Sequence, residues 1–224
     1  MTAAKIEKIG NLLKTGPVLF GENHFLFEAR EAIVKLIDAG AVKSLSIELP
    51  IAWNNKKKQS EWTARMIKRY FKAFGTRVKS NDLYPFPELI KRARNKQCVV
   101  YFHDLPVQAM IKIIASAFCE KKKELPQFKK DFTGFISEIY NHNRKKKKSI
   151  PAVERVMINN HWVRERNHFT KTYLQKELGQ ISLTNKWAGM VILVGDDHTS
   201  KSVFGEDRLQ KLLRIPANRV FHCN

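Results

Sequence analysis

The stretch MVILVGDDHT, residues 190–199, decides the fold: an unbroken apolar run stops at Gly195 and gives way to two acids and a histidine. Apolar on both faces and too short for a helix, it reads as a strand buried inside a covered sheet, with its polar residues at the carboxyl exit. Working outward, the same form recurs. Residues 18–20 in PVLFGENHF (17–25) run into Gly-Glu-Asn-His, SLSIELP (44–50) ends on an acid and a proline, and CVVYFHDLP (98–106) exits through His-Asp. NRVFHC (218–223) supplies a fifth strand.

Helical patterns fill the intervals. FLFEAREAIVKLIDAG (25–40) repeats apolar residues at Ala29, Ile33, Leu36 and Ile37 and stops at Gly40. Further helices are expected over 62–74, 88–95, 107–119 and 128–140, and a long one begins with Pro151 in its first turn and ends near Gly179. Strands alternating with helices define an α/β domain spanning residues 1–224, a mostly parallel sheet covered by helices on both faces.

In such sheets, sites gather at the carboxyl ends of the strands. The four exits bring Glu22, His24, Glu48, Asp104, Asp197 and His198 toward one edge, with His103 beside Asp104. The long helix adds a cation. Its apolar stripe through Val153, Val156 and Met157 continues by steps of three and four to Asn160, Arg164, Asn167 and His168, so the buried face turns polar midway. Arg166 lies about 200° round from Arg164. Arg164 is therefore expected in the cavity, offsetting the carboxylates, and Arg166 in solvent.

Charge is the unusual global feature, with 41 basic against 21 acidic side chains for a net +20. Three clusters stand out in polar connections: Lys56, Lys57 and Lys58; residues 121–123; and Arg144 with Lys145, Lys146, Lys147 and Lys148. They suit solvated loops or an acidic protein or anionic membrane surface. Residues 64–79 add an amphipathic helical face of Met66, Ile67, Tyr70, Phe71 and Phe74. The charge permits nucleic acid as a partner, but no helix-turn-helix, finger or aromatic RNP-like motif supports it. No apolar run nears the roughly 18 residues of a membrane span, and no leader is read at the start. The three cysteines (98, 119 and 223) have no metal-ligand spacing and suit a reducing compartment, so a soluble, cytosolic protein is expected.

GENH at 21–24, Glu48 in SIELP, RERN at 164–167 and GDDH at 195–198 together resemble the erythromycin esterase, ChaN-like and Tiki superfamily, whose motifs run in the same order. The resemblance implies an EreA/ChaN-like fold and hydrolysis of an acyl or peptide bond. In it, His24 or His198 would act as general base, Glu22 and Glu48 would orient the imidazoles, and Arg164 would steady the oxyanion. Asp197, Asp104, His103, Asn167 and His168 would form the surrounding layer. A metal-dependent variant would use His24, His198 and one or two of Glu22, Glu48 and Asp197 as ligands of zinc, manganese or iron. Haem binding through the same histidines, as in other members, is the alternative, as is non-catalytic binding of acidic surfaces. The toxin members of the superfamily imply an effector delivered into a host cell. Asn167 stands where many members have Met.

Overall fold

The computed structural model describes residues 1–22, 28–51, 86–105, 152–181, 185–199 and 207–223. Strands β1 (Val18–Glu22), β2 (Ser44–Pro50), β3 (Val99–Asp104), β4 (Met190–Gly195) and β5 (Val220–Cys223) form one sheet in the order β3-β2-β4-β1-β5. Every pairing is parallel. The stretch that decides the fold, β4, is the central strand, and all six of its residues are buried.

Period-two alternation sorts the side chains into two layers. Val18, Phe20, Leu45, Ile47, Phe102, Val191 and Leu193 face one core. It is closed by α1 (Ala3–Leu13), α2 (Glu28–Asp38) and α3 (Phe86–Asn95). Leu19, Met190, Ile192 and Val194 face the other, against Leu174 and Leu178 of α4 (Ala152–Leu178) and Leu209 of α5 (Leu209–Leu212). Helices thus cover both faces.

The helix stops behave as their glycines require. Gly40 after α2 and Gly179 after α4 have φ of 71° and 79°, a conformation that costs a residue with a Cβ but not glycine. Helix α1 was not anticipated. It buries Ile9 and Leu13, and the Thr2 hydroxyl accepts the Lys5 N–H at 3.4 Å as its cap.

Register brings the strand exits together. Glu22 lies level with Gly195 across β1 and β4, and Ile47 with Leu193 across β2 and β4. An irregularity between Ile47 and Pro50 sets Pro50 opposite Asp104. The helices expected over 62–74, 107–119 and 128–140, the three basic clusters and His24 lie outside the described residues. Among the described residues, no helix is long and apolar enough to cross a membrane.

Candidate active site

Glu48 leaves β2 on the α4 face, two residues after buried Ser46, as alternation dictates. Its Oε2 accepts the Gly195 backbone N–H at 2.5 Å, and its Oε1 accepts Arg166 Nη2. Arg166 reaches further to Asp104 at the end of β3, with Nε donating to Oδ1 at 2.8 Å and Nη2 to Oδ2 at 2.5 Å. That paired geometry suits a planar guanidinium and would be lost with lysine. Asp104 Oδ1 also accepts the Leu105 N–H at 2.8 Å. The Arg166, Glu48 and Asp104 side chains are only 7%, 8% and 1% exposed, so water screens these charges little.

His198 completes the cluster. A short 3-10 turn, Asp196–His198, returns the chain after β4 and buries the imidazole. Gly21 makes room for that turn, because a Cβ there would lie 2.7 Å from both Asp196 Oδ1 and Thr199 Oγ1. Asn167 Nδ2 donates to the Asp207 carbonyl at 2.9 Å, which fixes the amide so that its Oδ1 faces His198 Nδ1 at 2.5 Å. A carbonyl oxygen only accepts, so Nδ1 carries the hydrogen. Nε2 is left 3.3 Å from Glu48 Oε1.

The structure corrects the placement of the two arginines. Arg164 is 57% exposed and pairs with Asp207 at 3.1 Å, whereas Arg166 is the cation buried among the carboxylates. Arg164 follows buried Val163 by one residue, so it is turned about 100° round the helix, off the buried face. The face runs instead through Val163, Arg166, Asn167, Thr170, Leu174 and Leu178.

The other expected residues divide. Glu48, Asp104, Asn167 and His198 meet around Arg166. Glu22 is buried at the same edge but points to the α2 layer, as its parity with Val18 and Phe20 requires. There its Oε2 lies 3.1 Å from Arg30 Nε, and the Arg30 guanidinium sits 4.9 Å over the Phe86 ring. Asp197 is exposed. His168 is half-exposed and pairs with Asp207 at 2.9 Å. Arg166, Arg30, Ser46 and Asp207 were not anticipated.

His103 lies behind the cluster, fully buried, with Nδ1 2.6 Å from Ser46 Oγ and no partner for Nε2 among the described residues. Burial pushes its imidazole down to about 3, with Arg166 and His198 adding to the effect and Glu48 opposing it. The unfolded chain takes up this proton as pH falls below about 6.5, while the fold does not, so the stability contribution is full above that pH and erodes toward pH 3. Between pH 7.5 and 5.5 the wild type should lose about 1.4 kcal/mol that His103→Gln does not lose, as read by urea unfolding at both pH values.

The carboxyl edge of this parallel sheet thus gathers a histidine and two carboxylates around a buried arginine. Comparison with protein-family models, curated proteins and solved structures gave no match.

Proposed function

We propose that the protein is a hydrolase of acyl or peptide bonds, with His198 as its base. One observation carries the reading: the imidazole is tied through Nδ1 to Asn167, and its Nε2 faces the Glu48 carboxylate at the strand exits. A water set against Nε2 finds a proton acceptor that cannot swap tautomers while Asn167 holds Nδ1. As the water oxygen attacks the carbonyl carbon, its proton passes to Nε2. The imidazolium then protonates the leaving oxygen or nitrogen. Glu48 offsets the imidazolium charge, and Arg166 acts through Glu48 by holding its carboxylate in place. General acid–base help of this kind contributes about 10²- to 10⁴-fold.

The resemblance to the erythromycin esterase, ChaN-like and Tiki superfamily supports the same reading. A divalent ion would find two donors here, although among the described residues no three His, Cys, Asp or Glu side chains are placed to hold one. His198 Nε2 and Glu48 Oε1 stand 3.3 Å apart, the spacing of two ligands on a tetrahedron with bonds of about 2.0 Å. Asn167 would orient the imidazole from outside the coordination sphere. When bound, the ion would lower the proton affinity of the attacking water.

The test is turnover of p-nitrophenyl esters and a peptide library by wild type and His198→Ala, each with chelator and with added zinc, manganese or iron(II). Wild-type turnover that falls about 10²- to 10⁴-fold in the variant is expected. Equal turnover by the two proteins contradicts the assignment.

A further inference from the structure

The opposite edge of the sheet carries a different chemistry. Five connections lead into the five strands, at residues 14–17, 39–43, 96–98, 179–189 and 213–219. Each holds a basic residue, Lys14, Lys43, Lys96, Lys186, Arg214 and Arg219 in all, and none holds Asp or Glu. All but Arg219 are exposed.

The described parts of these connections lie along one edge of the sheet. Val18 pairs with Val191, Ser44 with both Met190 and Val99, and Leu19 with Val220, so the five strands begin within two residues of one another. Hydrogen bonds stitch the connections together. The Gly189 N–H donates to Leu13 O at 2.6 Å, Lys43 N–H to Gly189 O at 2.8 Å, Val99 N–H to Lys43 O at 3.0 Å and Arg219 Nη1 to Leu12 O at 2.7 Å. A groove of about 480 Å³ opens here, with Lys14 and Lys43 beside apolar Leu13, Leu36 and Ala39.

Helix C-termini favour cations, and Arg219 serves that role for α1 through the Leu12 carbonyl. That does not account for acid-free connections at all five positions. Acids stand in the helices that lead into these connections: Glu7 lines the groove, the Asp38 carboxylate is bound by Arg92 at 2.7 Å, and Glu177 lies two residues before the 179–189 connection.

We infer that this edge docks the protein on an anionic membrane. A rim of exposed lysines matches a plane of lipid phosphates and carboxylates better than the groove of a duplex. Trp187, the aromatic residue of these connections, is buried and offers no platform for stacked bases. The acids at the other edge, Glu22, Glu48, Asp104, Asp196 and Asp197, would be repelled by the same surface, so docking turns the candidate active site away from the lipid.

The experiment is co-sedimentation of the full chain with vesicles of phosphatidylcholine alone and of phosphatidylcholine with phosphatidylserine, in rising salt, for wild type and the triple variant Lys14→Gln, Lys43→Gln, Lys96→Gln. Each lysine near an anionic surface contributes about fivefold, so the triple variant should bind the mixed vesicles on the order of a hundredfold more weakly. Its thermal unfolding should match wild type, because the three side chains are exposed. Unchanged binding by the variant would assign the membrane contact elsewhere and overturn the inference. So would wild-type binding to neutral vesicles alone, or binding to duplex DNA, rather than to the vesicles, that the three substitutions abolish.

Discussion

Replacing Arg166 by alanine should lower the stability of the fold by about 3–5 kcal/mol, the cost of leaving buried charge uncompensated. Arg166 is the cation between Glu48 and Asp104, and both carboxylates are almost fully buried. Without it they repel each other in a region water does not screen. Arg164→Ala is the internal comparison. Its guanidinium is 57% exposed and its partner Asp207 is 33% exposed, so solvent screens the pair and the loss should stay below about 1 kcal/mol. Urea unfolding of the two variants at pH 7 separates them. Equal losses would mean that the buried cluster is not built around Arg166.

Asn167→Leu should cut kcat on the order of 10²-fold or more, within the range a general base supplies, while leaving KM nearly unchanged. Leucine cannot accept the Nδ1 hydrogen, so the imidazole is free to flip or to move its proton to Nε2, where it no longer accepts one from water. Wrong-tautomer substitutions in other histidine sites have effects of this kind. The variant should also lose about 1–3 kcal/mol of stability, since His198 Nδ1 and the Asp207 carbonyl lose their partner. Asn167→Asp keeps an acceptor against Nδ1 and should recover much of the rate. That recovery separates positioning of the base from a general loss of structure, which aspartate would not repair.

The strands were legible because a strand covered on both faces must be apolar throughout, and β4 obeys this from Met190 to Val194. Their polar exits were legible for the same reason: an acid directly after such a run stands at the sheet edge. Side-chain direction at that edge was less so. Glu22 and Glu48 look alike in sequence, yet alternation sends one to Arg30 in the α2 layer and the other to Arg166 in the α4 layer. The arginine was misplaced for a countable reason. Stepping back by four from Leu178 through Leu174 and Thr170 reaches Arg166, and all four are buried. Those four residues straddle the buried face, whereas Arg164, one residue after buried Val163, is turned about 100° away from it. Ser46, Arg30 and Asp207 left no such signal, because their roles rest on partners 57, 8 and 40 residues away along the chain.

The most direct test of the account is the protonation of His198, read by nitrogen-15 NMR of histidine-labelled protein and assigned by loss of the signal in His198→Ala. A hydrogen held on Nδ1 across the pH range of activity, with Nε2 as the nitrogen that gains and loses a proton, is the predicted result. The pattern should be lost in Asn167→Leu. A proton fixed on Nε2, with Nδ1 exchanging, would place the reactive nitrogen against Asn167 rather than Glu48 and contradict the assignment of His198 as the base.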